Sequence, residues 1–237
     1  MGGVDIKQVR LKQSGLVFYV RSAMDIWCLK ETHLDRFYEK HGIALQDGWT
    51  VVDIGAGLGD FSVLAAHQFP NNQVYAYEPF KESFTLLERN LASNKINNVH
   101  IFQQAVGQTG ALMLDLSGNE PLQIQSRSTQ LSAGEHPERT VEVTSLALNE
   151  LFVQNGIRRC DLLKMDCEGA EYDILLNAKP EAMERVQRLV MEYHEDVNGH
   201  CHTDLVRLLE GQGFNVQLTP NAVHANLGYL YAWRGQS

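Results

Sequence analysis

Two apolar stretches end in residues able to move a proton. Leu162-Leu163-Lys164-Met165 carries one lysine, runs into Asp166, and is followed by Glu168. Val190-Met191-Glu192-Tyr193 runs into His194. Alternate residues of a strand share a face, so Lys164 goes with Asp166 and Glu192 with His194. If the two strands are parallel neighbours, the pairs face each other in layers, Lys164 with Glu192 below and Asp166 with His194 at the rim. A buried lysine needs a partner, and the lower pair is then structural. The upper pair suits general-base chemistry. His194 titrates near neutrality when unperturbed and is the candidate base. Asp166 can orient it, and Glu168 can hold an acceptor hydroxyl. A metal is the rival reading: Asp166, Glu192 and His194 are the oxygen and nitrogen ligands that Mg²⁺ accepts, although Glu192 is also wanted by Lys164. His200-Cys201-His202 fits no standard zinc spacing and reads as a substrate-side loop. No residue is assigned as a metal ligand.

The second constellation is Val51-Val52-Asp53-Ile54-Gly55-Ala56-Gly57-Leu58-Gly59-Asp60-Phe61-Ser62. An apolar run stops at an acid, turns through glycines and restarts at helical spacing, which is the opening of a nucleotide-type fold. The G-x-G-x-G spacing is one residue short of the dinucleotide fingerprint G-x-G-x-x-G. A carboxylate at Asp53 would repel a pyrophosphate and suits a ligand bearing an ammonium group. The loop therefore points to S-adenosylmethionine rather than NAD. The residues expected at the donor are Asp53, Gly55, Gly57, Gly59, Phe61 and Ser62. Glu78 joins them from the next strand end, about 20 residues on, where an acid accepts hydrogen bonds from ribose hydroxyls. Pro79 and Phe80 would flank the adenine, Gln104 and Ala105 would border it, and Asp166 could reach the donor's ammonium.

These groups need strands that end at one rim, and the pattern supplies them. Strands are expected at 50–54, 73–77, 99–103, 160–165 and 188–193, alternating with helices at 60–69, 81–94, 145–154, 169–177 and 203–212. Such alternation implies an α/β fold with a mostly parallel sheet covered by helices on both faces. Phe214 to Leu218 and Leu227 to Trp233 close the chain as a hairpin, so the last strand is expected to be antiparallel. Asp60 is a plausible helix N-cap. Residues 1–49 read as a strand at 16–20 and broken helix from 23 to 40, a cap or lid within the same domain. Residues 50–237 form the main domain, with a polar insert near 117–139.

At 237 residues, 44% hydrophobic and 21% charged, the composition is that of an ordinary globular domain. A net charge of −9 argues against a nucleic-acid partner. The four cysteines form no C-x-x-C pair and read as reduced thiols of a cytoplasmic protein. No apolar run is long enough for a membrane span.

Val52-Asp53-Ile54-Gly55-Ala56-Gly57-Leu58-Gly59, Glu78-Pro79, Leu163-Lys164-Met165-Asp166-Cys167-Glu168-Gly169-Ala170-Glu171 and Met191-Glu192-Tyr193-His194 resemble the FkbM family of S-adenosylmethionine-dependent methyltransferases. The likeness runs from about Tyr19 to His194. It implies a class I, Rossmann-like methyltransferase sheet of seven strands. It also implies transfer mainly to hydroxyl oxygens of sugars, polyketides and related metabolites, either free or carrier-bound. A non-catalytic donor-binding module of a larger synthase and a nicotinamide oxidoreductase are the alternatives. The second is disfavoured by Asp53 and the short glycine spacing.

Overall fold

The computed structural model describes residues 5–40, 44–115, 140–195, 197, 199–221, 224 and 226–235. The polar insert expected near 117–139 lies outside the described residues. The chain divides into two compact units, Met1–Gln103 and Gln104–Ser237.

In the first unit, β1 (Lys7–Arg10) and β2 (Val17–Val20) pair antiparallel. The broken helical pattern resolves into α1 (Ala23–Leu29), a π-helical turn (Lys30–Leu34) and α2 (Phe37–Lys40). Ser22 caps α1, its hydroxyl accepting from the Asp25 amide at 3.1 Å. Then β3 (Thr50–Ile54), α3 (Asp60–Gln68), β4 (Gln73–Tyr77), α4 (Lys81–Ser93) and β5 (Val99–Phe102) alternate. The three strands lie parallel in the order β3-β4-β5. Val51, Val52, Val74 and Ala76 are fully buried, as continuous apolar strands of a parallel sheet require. The N-cap of α3 is Gly59, in the left-handed region, and not Asp60. Only glycine fits there without strain, and a Cβ would meet Leu87 Cδ1 at 2.4 Å. Asp60 sits one position inside the helix and accepts the Thr32 hydroxyl from the π-helical turn.

Asn90 of α4 and Asn94, which caps the C-terminus of that helix, take the place of a neighbouring strand for β2. Asn94 accepts from the Val17 amide at 2.8 Å and donates to the Val17 carbonyl at 2.7 Å. Asn90 accepts from the Tyr19 amide at 2.7 Å and donates to the Leu58 carbonyl at 2.9 Å. One fully buried side chain thus ties the N-terminal hairpin to the glycine loop.

In the second unit, β6 (Ala105–Val106), β7 (Gly110–Asp115) and β8 (Thr140–Leu146) make a small sheet in the order β6-β8-β7. There follow α5 (Leu148–Gln154), β9 (Leu162–Met165), α6 (Glu171–Leu176), α7 (Pro180–Arg185), β10 (Arg188–His194), α8 (His202–Gly211), β11 (Asn215–Pro220) and β12 (Leu227–Trp233). The helix α7 replaces the linking turn expected near Pro180, which stands at its first position. The strand order is β11-β12-β10-β9. β9 and β10 are parallel, while β12 runs antiparallel between β10 and β11. The last strand is thus antiparallel, as expected. Gly228 lies opposite Tyr193 in this ladder, where a Cβ would stand 2.2 Å from the tyrosine oxygen. The strands β3, β4, β5 and β9 to β12 belong to a mostly parallel seven-stranded sheet.

The Asn90 bridge yields a stability test. Asn90→Ala leaves the Tyr19 amide and the Leu58 carbonyl without this partner, at about 1–3 kcal/mol for each buried group. We expect denaturant unfolding to show a loss of about 2–6 kcal/mol. Thr85→Ala, which removes an exposed hydroxyl bonded to the Lys81 carbonyl, should stay within about 0.5 kcal/mol of the parent.

Candidate active site

The glycine loop leaves β3 and enters α3 with Gly55, Gly57 and Gly59 at φ of 73°, 56° and 88°. Side chains rarely adopt these angles. The amides of Gly55 and Ala56 both donate to the Tyr77 carbonyl at 3.0 Å, clamping the loop onto β4. Gly57 is the open position of the loop: a Cβ built there meets nothing within 4 Å.

Glu78 is buried at the tip of β4. Its Oε2 accepts from the Gly57 amide and its Oε1 from the Phe80 amide, each at 2.8 Å. A carboxylate can accept several hydrogen bonds at once, and an acid at this strand end suits ribose hydroxyls. Pro79 and Phe80 beside it are half-buried. The cradle fits an adenosine-bearing ligand: an acid fixed by backbone donors stands next to a loop whose exposed position carries no side chain.

Other expected donor contacts occupy different places. Asp53 is fully buried and accepts the Ser62 hydroxyl at 2.6 Å, and Ser62 is itself fully buried. Asp53 thus braces β3 against α3 through Oδ2. Phe61 is also buried, edge-on to Tyr38 with ring centroids 5.2 Å apart. In the second unit, Ala105 is buried within β6, and Gln104 just before it is half-buried.

The proton-handling residues follow β9 and end β10. The ladder places Lys164 opposite Val190 and Met165 opposite Met191. That register is shifted by two residues from the layered pairing expected, which set Lys164 level with Glu192 and Asp166 level with His194. His194 consequently stands beyond Asp166. Its partners come from the loop after β9: His194 Nε2 lies 3.3 Å from Glu168 Oε2, and Nδ1 lies 3.6 Å from Glu171 Oε1. Asp166 Oδ2 is instead 3.9 Å from Lys164 Nζ.

The loop aims these groups by an unusual backbone path. Glu168 has φ of 50° and Gly169 φ of 97°. A left-handed non-glycine residue costs about 1–3 kcal/mol and persists where the surroundings over-determine it. Glu171 supplies part of that determination. It opens α6, is fully buried, and its Oε1 accepts from the Cys167 and Gly169 amides at 3.2 and 3.3 Å. Its other oxygen, Oε2, has no hydrogen-bond partner among the described residues. Tyr172 secures the facing strand by donating to the His194 carbonyl at 2.7 Å.

The electrostatics follow from this placement. Burial by itself lowers the pKa of His194, but the contacts with Glu168 and Glu171 outweigh it and push the imidazole up to about 11. Burial raises Glu168, and the His194 contact offsets part of that rise. Burial, with Glu171 and Asp166 nearby, also pushes the Cys167 thiol up. Both contacts favour the protonated imidazole, whereas the residue pattern had suggested a neutral base. Glu171 is the residue that strand reasoning missed. The available signal was helical spacing, since it lies three residues past Glu168 on the same loop-to-helix turn.

The histidines beyond the rim are held in pairs. His202 contacts Glu195, His200 Nδ1 lies 3.6 Å from Asp204 Oδ2, and the His200 ring stacks on Tyr172 with centroids 5.6 Å apart. Among the described residues, no group of three or more His, Cys, Asp or Glu side chains stands together as metal ligands do.

Comparison with known proteins places the chain in a family. Residues 53–216 match the family described as the methyltransferase FkbM domain. The chain is 25% identical over 235 residues to the 31-O-demethyl-FK506 methyltransferase FkbM of Streptomyces tacrolimicus, covering 89% of this chain and 90% of that one. It is 26% identical over 233 residues to part of the AMB antimetabolite synthetase AmbE of Pseudomonas aeruginosa, a match to 82% of this chain and 11% of the synthetase. In fold it resembles M. jannaschii TYW2 in complex with AdoMet, with a TM-score of 0.50 at 16% identity, covering 98% of this chain and 86% of that one. The match spans well over half of the chain, including both the glycine loop and the Glu168–His194 segment, so the protein belongs to the FkbM methyltransferase family and uses S-adenosylmethionine as its cofactor.

Proposed function

We propose that the protein transfers the methyl group of S-adenosylmethionine to a hydroxyl oxygen of a small metabolite. The observation that carries this reading is the contact of His194 with Glu168, a histidine and a half-exposed carboxylate at the ends of β10 and β9. An alkyl sulfonium is already activated, so an enzyme that methylates oxygen has mainly to place the hydroxyl and remove its proton. A His–carboxylate pair performs that task. The similarity to a protein named as a 31-O-demethyl-FK506 methyltransferase supports oxygen as the acceptor and a natural product as the substrate class.

Within this reading Glu78 takes the ribose hydroxyls, and the open face at Gly57 lets the donor lie against the backbone. Glu168 meets the acceptor hydroxyl, and His194 sets the charge and position of Glu168. Asp166, beside Lys164, adds negative charge at the same strand end. A second reading, a methyltransferase acting alongside a larger synthase and distinct from a non-catalytic donor-binding module, draws on the match to AmbE. It differs in presenting the hydroxyl on a carrier, and it uses the same residues.

Mutation should separate donor binding from chemistry. Glu78→Gln should weaken S-adenosylhomocysteine binding about 10- to 100-fold in calorimetry, the loss expected when hydrogen bonds to a charged group are removed. Glu168→Gln and His194→Ala should leave that affinity within about twofold while lowering kcat about 100-fold or more. Unchanged turnover in both would refute the assignment of the pair. Activity should survive dialysis against EDTA, whereas loss with recovery on adding Mg²⁺ would favour the Asp166, Glu192 and His194 metal reading.

A further inference from the structure

We propose that Glu171 is a positioning residue that keeps His194 doubly protonated, so that Glu168, and not the imidazole, receives the acceptor's proton. The inference deepens the hydroxyl-methylation reading and rests on it for the identity of the acceptor. It begins from a count of donors and acceptors. A neutral imidazole has one N–H and one lone pair, whereas an ionised carboxylate can only accept. Both ring nitrogens of His194 face carboxylates, Nε2 toward Glu168 at 3.3 Å and Nδ1 toward Glu171 at 3.6 Å. Nδ1 makes no hydrogen bond among the described residues, so its contact with Glu171 is one of charge, favourable when both ring nitrogens carry a proton.

Glu171 is built to be the anion of the set. Two backbone amides already donate to its Oε1, so that oxygen serves as an acceptor. It has no exposed surface, so its charge must be balanced inside the protein. The groups around the cluster leave His194 as the balancing cation. Lys164 Nζ is at Asp166, the Cys167 thiol is held protonated by burial and its acidic neighbours, and the Tyr172 hydroxyl is committed to the His194 carbonyl. Just past the end of β10, Glu195 is engaged with His202. The raised pKa of His194 agrees with this placement.

Glu168 then differs from Glu171 in one respect that matters. Its side chain is 35% exposed, against 0% for Glu171, so it is the carboxylate an acceptor can reach. As the acceptor oxygen bonds to the methyl carbon, the carbon–sulfur bond breaks and its electron pair stays on sulfur, leaving a neutral thioether. The hydroxyl proton passes to the Glu168 carboxylate and from there to solvent. His194 keeps its protons throughout and lowers the cost of charge at Glu168.

Nitrogen-15 NMR of the His194 ring tests this directly, because it reads protonation without any acceptor present. In the unmodified protein both ring nitrogens should show imidazolium shifts from pH 6 to pH 9. In Glu171→Gln the ring should titrate within that window, kcat should fall about tenfold or more, and S-adenosylhomocysteine affinity should stay within about twofold. The rate profile should show no inflection at the usual histidine value in the unmodified protein and acquire one in the variant. A His194 that titrates near 6.5 in the unmodified protein would overturn the proposal, as would a Glu171→Gln variant whose His194 shifts do not change. The NMR result and the search for a hydroxyl acceptor fail separately, so an error in the protonation state and an error in the substrate class are told apart.

Discussion

A carboxylate with no access to solvent sets the terms for the acid–histidine cluster. Glu171 is fully buried at the start of α6 and holds the Cys167 and Gly169 amides on one oxygen. Those bonds fix the turn that puts Glu168 and Gly169 into the left-handed region. The same turn swings Glu168 to within 3.3 Å of His194. The imidazole in turn lies against Glu171, so the strained loop, the buried charge and the strand end support one another. Removing any one leaves either an uncompensated charge or an unsupported turn.

The donor cradle in the first unit follows the same logic with milder means. Glu78 is also a buried acid that holds loop amides, those of Gly57 and Phe80. Asn90 secures the loop from the far side through the Leu58 carbonyl and connects it to the N-terminal hairpin. Thr32 connects the π-helical turn to Asp60 at the head of α3. The N-terminal segment is therefore fastened to the glycine loop through polar side chains as well as through core packing. Burial of Asp53 belongs to the same scheme: it accepts the Ser62 hydroxyl and so joins β3 to α3.

Much of this was legible in residue order. The alternation of apolar runs with helical spacing locates every strand of the large sheet to within a few residues, because both faces of such strands must be apolar. The antiparallel last strand follows from the closing hairpin. The glycine spacing and the acid at the tip of β4 were visible too, and the structure joins them through the Gly57 amide and Glu78. Strand register was not legible, since period-two patterning is equally satisfied when two strands slide by two residues. That slide moves His194 from Asp166 to Glu168 and Glu171, and it turns an expected base into an expected cation. Asn90 and Asn94 were also hidden, because an asparagine on a helix does not announce a backbone partner more than 70 residues away. Helix α7 was missed where Pro180 read as a turn although it is the first helical residue.

The protonation of His194 is where the account commits itself most narrowly, and neutron diffraction from crystals grown near pH 8 in heavy water addresses it at the atom. Nuclear density for deuterium on both Nδ1 and Nε2, with neither Glu168 nor Glu171 carrying one, is the result predicted. A single deuterium on the ring, with the proton residing on either carboxylate, would contradict it and return His194 to the role of the base.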